Sequence, residues 1–440
     1  MNEQSPAGRF GGASIMSWLA FLLLLMMGLY TYMDRPLMML LTEDMRRALG
    51  MSDFQIGLVQ GLSFALLAAL ASYPIAWAAD RLDRRWVIAG SLFVWAVAIF
   101  LCAIAGSFTE LFLASALVGV GEAGLLPITY ALIPELFKGQ ARVLANSLVI
   151  LFSRVGSGAV FAIVGVLAAN AHSAQQWLPD SLASLDPWRI ALILLAIPGP
   201  FLALAALGLP IRGRPLEAED QRSGNKAPII SYLRVHWPAY GSFALGIGLL
   251  VFAMTSLMSF LPVAAMRQMG ASQSFVANAM ALATIIGMGL AFVLVLGISA
   301  LLKRRAPGCE PIILLLVASG GCLLIAPFIL LTSTPLQLFI ALGGIFLCFS
   351  IGAMSFPNGL QELTPVDGRA RLISLVIMGN FGMTAIAQPI AGLLSDALNK
   401  GGGKLLIASI AVAAIALVLS VVSLAFCARR YAACVKAVQS

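Results

Sequence analysis

Apolar runs of about 20 residues or more recur along the whole chain, each closed by a short charged or turn-forming stretch, and a run of that length is what a helix needs to cross bilayer hydrocarbon. They fall at 15–41, 55–79, 87–106, 111–136, 143–169, 189–211, 238–262, 274–299, 310–331, 337–358, 372–395 and 405–427. The pattern predicts an all-α integral membrane protein with twelve transmembrane helices, because a helix satisfies every backbone polar group within its own segment. The alternating runs of about ten residues that mark a membrane β-barrel do not occur. Composition agrees: 60% of the residues are hydrophobic and 10% charged, against about a quarter charged in a soluble domain. The first run follows a polar leader with Arg9, is too long for the apolar part of a secretory signal and continues past Asp34 and Arg35 to Leu41, so it reads as a retained first helix.

The net charge of +8 does not point to nucleic acid, since the basic residues sit in short loops and not on one face among aromatics. Their distribution instead sets orientation. With the N-terminus inside, Arg81, Arg84, Arg85, Lys138, Arg142, the 212–234 cluster, Lys303, Arg304, Arg305, Arg369, Arg371, Arg429, Arg430 and Lys436 all fall on the cytoplasmic side. The outer segments keep only Arg46, Arg47, Arg189, Arg267, Lys400 and Lys404. Both termini are therefore expected in the cytoplasm, in a cell inner (cytoplasmic) membrane. The longest polar stretch reads as a linker, giving a six-helix bundle at 1–211, a cytoplasmic linker at 212–237 and a second six-helix bundle at 238–440. Basic turns after the second and eighth runs, Asp80–Arg85 and Lys303–Arg305, occupy the same place in each half and suggest two pseudo-repeats, the build of many carriers. The six cysteines suggest no disulfide framework, and with no Cys-x-x-Cys and two isolated histidines, His172 and His236, neither metal nor cofactor is called for.

The segment Ala76-Trp77-Ala78-Ala79-Asp80-Arg81-Leu82-Asp83-Arg84-Arg85 resembles the Gly-x-x-x-Asp-Arg-x-Gly-Arg-Arg loop of the major facilitator superfamily, with Ala76 and Asp83 in place of two glycines. Within that superfamily the chain is similar to the spinster-like transporters through Tyr32-Met33-Asp34-Arg35 and Val118-Gly119-Val120-Gly121-Glu122-Ala123-Gly124, with Gln55-Ile56-Gly57-Leu58 and Asp186-Pro187-Trp188-Arg189 in support. The likeness runs through the first six helices. It implies the two-bundle transporter fold, proton-linked movement of lysolipids or related amphipathic lipids, and roles for Asp34, Arg35 and Glu122 in proton coupling and substrate binding. Asp80, Arg81, Arg84 and Arg85 are expected to form a gating loop, with Asp80 latching against the start of the eleventh span near Arg371, where a carboxylate meets the positive end of that helix. One departure is Ser115, where the superfamily often carries an arginine seven residues before the glutamate.

Charge at membrane depth is costly and usually faces a cavity or a partner. Asp34, Arg35, Glu122 and Arg154 qualify, on the first, fourth and fifth spans. Arg154 stands in for the cation missing at Ser115, and an Arg154–Glu122 ion pair is expected from their similar depth. Asp34 or Glu122 is expected to carry the coupled proton. Structural pairing that merely holds the helices together is the competing reading of all four. The second half offers Asn380 and Gln388 as polar substrate contacts, together with Met254, Met258 and Phe260, where flexible thioethers suit varied apolar shapes or are ordinary packing. The string Gly119-Val120-Gly121-Glu122-Ala123-Gly124 matches a dinucleotide fingerprint only by accident; inside an apolar helix such glycines, like Gly156 and Gly158, let helices approach closely.

These readings converge on a secondary active transporter, not an enzyme. It would move a small organic or amphipathic, lysolipid-like anion by proton-coupled alternating access, and would be a monomer whose partners are substrate, protons and the bilayer. Proton-driven multidrug efflux is the alternative within the class, although the Gly-Pro pattern of drug antiporters is absent from the fifth span. A non-transporting receptor or a channel is the alternative outside it.

Overall fold

The computed structural model describes residues 9–10, 13–137, 139–174, 185–209, 211, 227–305, 309–365, 369–398 and 404–439. Apart from a two-residue ladder pairing Arg9–Phe10 with Ala13–Ser14, the regular secondary structure of the described residues is helical. Ten stretches are long and apolar enough to cross a membrane. The fourth and fifth apolar runs supply two further helical rods, in line with a twelve-helix fold.

In chain order the helices are α1 (Ile15–Thr31), α2 (Asp34–Leu40), α3 (Thr42–Leu49), α4 (Asp53–Gly57), a π-turn (Leu58–Ser63), α5 (Phe64–Arg81), α6 (Arg84–Ile104), α7 (Phe108–Glu122), α8 (Leu125–Leu136) and α9 (Gly139–Ala174). They continue as α10 (Pro187–Ala196), α11 (Pro198–Leu207), α12 (Ala227–Met269), α13 (Gln273–Arg305), α14 (Glu310–Ile325), α15 (Pro335–Glu362), α16 (Arg369–Leu398) and α17 (Leu405–Gln439).

Several predicted spans are not single α-helices. The first breaks at Tyr32–Met33, because Pro36 has no N–H to offer the carbonyl of Tyr32 and its ring crowds that carbonyl. Pro198 divides the sixth between α10 and α11 for the same reason. The fourth is interrupted at Ala123–Gly124, and the second carries the π-turn. Helix starts are capped where the sequence supplies the residues: Ser52 and Gln55 form a reciprocal capping box, and Asp83 accepts from the Arg85 amide at 3.0 Å to open α6. The stretch expected to be linker at 212–237 is helical from Ala227 onward; residues 212–226 lie outside the described ones.

The chain forms two compact units. One comprises Met1–Met51 and Ser63–Glu219, the other Ser52–Leu62 and Asp220–Ser440. The first has cores around Leu24, Met27, Ile88, Leu92, Leu132 and Ala206, and around Phe21, Phe137 and Val149. The second is built on Tyr240, Phe243, Leu315, Leu360, Leu424 and Tyr431. Side chains such as Phe201, Leu204, Val293, Leu324 and Leu331 lie outward on their helices, the disposition expected against lipid.

Candidate functional site

The break in the first span places two charges at the start of a new helix. Asp34 and Arg35 are the first residues of α2, with Asp34 only 2% exposed. Its Oδ1 is buried with no hydrogen-bond partner in the protein. Arg35 turns to α7, where its Nη2 donates to Glu122 Oε2 at 3.2 Å. The guanidinium lies 3.8 Å from the centroid of the Phe64 ring and 5.4 Å from that of Tyr32, so aromatic faces flank the cation while the carboxylate holds one edge. Arg35 keeps 41% of its side chain exposed against 12% for Glu122. The fork therefore retains donors that Glu122 does not use, on a residue suited to gripping a second anion.

Glu122 is the last residue of α7, and the glycines around it fix its place. A Cβ on Gly119 would lie 2.4 Å from the Phe64 carbonyl oxygen, one on Gly121 2.6 Å from the Trp95 backbone nitrogen, and one on Gly124 2.4 Å from Ile75 Cγ2. Gly119 and Gly121 press the fourth span against α5 and α6 at backbone range, and Gly124 packs against a side chain, the packing role expected of such glycines. Ser115, about two turns before Glu122 on α7, is buried and lies 3.8 Å from Cys102 between Oγ and Sγ.

The remaining site candidates divide. Arg154 lies within α9, but its side chain is outside the described residues, so the expected Arg154–Glu122 pair is not described; the partner that Glu122 does show is Arg35. The side chains of Asp80 and Arg371 are likewise undescribed. The rest of that turn is anchored inside the first unit: Arg85 donates from Nε and Nη2 to the Ile211 carbonyl at 3.0 and 2.6 Å, Arg84 is 4% exposed with Nε 3.4 Å from the Ala79 carbonyl, and Arg81 sits 4.3 Å over Trp77. In the second unit Gln388 donates to Ser259 Oγ and its backbone carbonyl faces Gly57. Asn380 Oδ1 lies beside Gly248, and Met254 and Phe260 are buried. Phe64 escaped the sequence reading because one aromatic in an apolar helix carries no distinguishing signal. Asp53, Arg267, Ser395 and Asp396 also escaped it; they form a separate polar cluster.

Apolar helices arranged in two units, with a charged pair and a buried carboxylate inside one of them, define a multi-pass membrane protein of the carrier type. Residues 18–381 match the family model described as Major Facilitator Superfamily. The chain belongs to that superfamily. It is 27% identical over 397 residues to an MFS-type efflux pump of Mycolicibacterium smegmatis, covering 88% of this chain and 86% of the pump. It is 28% identical over 160 residues to Protein spinster of Drosophila melanogaster, covering 36% of this chain and 26% of that protein. Against the mouse sphingosine-1-phosphate transporter SPNS2 it is 26% identical over 223 residues, with 49% and 40% covered. In fold it is similar to a bacterial homologue of the human lysosomal transporter Spinster, solved in an inward-facing, unoccupied conformation, at a TM-score of 0.75 and 20% identity over 97% of this chain and 98% of that one. The chain is thus a multi-pass membrane transporter related to spinster-type proteins and efflux pumps, and the resemblance read from its motifs is borne out.

Proposed function

We propose that this transporter carries a small organic or amphipathic, lysolipid-like anion together with protons by alternating access, as a monomer in the cytoplasmic membrane with both termini inside. The observation that carries the reading is Arg35, bonded on one edge to Glu122 and flanked by Phe64, next to a buried carboxylate, Asp34, whose Oδ1 has no protein partner. A guanidinium already held by a carboxylate can exchange that partner for a substrate anion if the carboxylate takes up a proton, because the swap leaves no charge stranded. Anion and proton would then load together, which is symport. Asp34 is the second proton carrier in this scheme. Arg154, Asn380 and Gln388 are the further substrate contacts, and Asp80, Arg81, Arg84 and Arg85 the gating turn.

The test is a thermal-shift screen of lysolipids, organic acids and hydrophobic cations on purified protein, followed by uptake into proteoliposomes with and without a pH gradient. Stabilisation by anions and gradient-driven accumulation are expected. Hydrophobic cations that stabilise instead, and leave against the proton gradient, would favour drug efflux, the reading supported by the similarity to the mycobacterial pump over most of the chain. Ion flux with no saturation would indicate a channel.

A further inference from the structure

All six cysteines are free thiols, and two of them face each other inside the second unit. Cys322 is on α14 and Cys348 on α15, each near the middle of its span, Glu310–Leu331 and Pro335–Glu362. Small residues set the register that pairs them. A Cβ on Gly321 would lie 2.6 Å from Cys348 Sγ, one on Gly344 3.2 Å from Ile325 Cδ1 and one on Gly352 3.0 Å from Ala318 Cβ. Positions 318, 321 and 325 of α14 therefore oppose 352, 348 and 344 of α15, the match of two antiparallel helix faces, and glycine at each level lets the helices come close. Cys322 is 2% exposed, with the Ile345 carbonyl 3.7 Å from its Sγ, and its thiol is hydrogen-bonded to that of Cys348, which is half-buried. By contrast, Cys102 lies against the Ser115 hydroxyl and Cys427 donates to the Ala239 carbonyl at 3.3 Å.

We propose that Cys322 and Cys348 are an oxidative modification site, a thiol pair that closes to a disulfide between α14 and α15 on reaction with an organic hydroperoxide, an oxidant that dissolves in hydrocarbon. Cys348, the more accessible sulfur, attacks the terminal oxygen of the hydroperoxide. An S–O bond forms, the O–O bond breaks, and the thiol proton leaves with the alcohol, so that Cys348 becomes a sulfenic acid. The Cys322 sulfur then attacks that of Cys348: the S–S bond forms, the S–O bond breaks, and the hydroxyl departs as water with the Cys322 proton. Two thiols and one hydroperoxide give one disulfide, one alcohol and one water, the two electrons passing to the peroxide. A buried thiol among apolar neighbours is ordinarily inert packing. This one differs in having a second thiol within hydrogen-bond reach, which captures the sulfenic acid before further oxidation. The bond requires Cα atoms about 4.4–6.8 Å apart, a spacing that glycine-lined helices allow, and Gly321 leaves open the space in which the Cys348 sulfur lies.

The test uses full-length protein in nanodiscs of saturated lipid, treated with tert-butyl hydroperoxide, then unfolded, alkylated with iodoacetamide and digested for mass spectrometry. It needs no substrate, so its outcome is independent of the transport reading. Cys322 and Cys348 should lose alkylation together, at least tenfold faster than Cys102 and Cys427, and appear as one cross-linked peptide pair that dithiothreitol releases. Cys322→Ser should leave Cys348 as a sulfenic acid that dimedone traps, and Cys348→Ser should leave Cys322 alkylatable. Six thiols that all stay alkylatable, conversion of Cys348 to sulfinic acid in the unsubstituted protein, or a cross-link from either residue to another cysteine would overturn the proposal. If a serine variant fails to fold, the cross-linked peptide pair of the unsubstituted protein decides.

Discussion

Arg35 is the residue on which the proposed anion binding turns, and its surroundings make substitutions informative. Lysine keeps the charge but loses the planar fork and its stacking on Phe64, 3.8 Å away. Arg35→Lys is expected to weaken anion binding at least tenfold, measured by the ligand-induced thermal shift, with little loss of stability. Arg35→Ala leaves Glu122 without the partner described here. Because Arg35 is 41% exposed, solvent screening limits the cost to about 1 kcal/mol, readable in denaturant melts. The two carboxylates are expected to behave differently from the arginine: Asp34→Asn and Glu122→Gln should each abolish accumulation driven by a pH gradient while leaving substrate exchange measurable. Asp34, Arg35 and Glu122 were legible in the sequence because charge inside an apolar run is conspicuous. Arg267 was not. At the end of a run it read as one more loop cation, and only the fold shows Asp53 waiting for it, 214 positions earlier in the chain.

At the scale of elements, hydropathy located the twelve rods but not their interruptions. By hydropathy the run 15–41 reads as one helix, since Tyr32 and Met33 are as compatible with helix as their neighbours, and Pro36 is the local feature that breaks it. That break is what brings Asp34 and Arg35 to a helix start. Pro36→Ala restores the missing N–H and should join α1 to α2. The expected result is slower hydrogen exchange across residues 31–37 together with weaker anion binding, since the two charges rotate with the new helix. The packing role of the fourth span's glycines is legible in the sequence, because no strand precedes them and an apolar helix surrounds them. Gly121→Ala meets the Trp95 backbone at 2.6 Å and should destabilise the first unit by about 2 kcal/mol, seen as a lowered melting temperature.

For the whole molecule, two compact units with the chain changing allegiance inside the second span could not be read from composition, because the assignment of residues 52–62 depends on glycines and charges far apart in sequence. Orientation, by contrast, rests on loop charge alone. Epitope tags at both ends should be cleavable by protease in inside-out vesicles and protected in right-side-out ones. The backbone contacts of Gly119 and Gly121 carry a further consequence for ligand choice. The helix bearing Glu122 has no room to move closer to α5 and α6, so a wall of backbone stands behind the carboxylate, while Arg35, 41% exposed, has space around it. On the proposed anion reading, ligands are expected to be sorted by where they present negative charge to that arm, more than by their bulk. Two anions of unlike size but matching charge geometry should compete as equals, and two of like size with displaced charge should not.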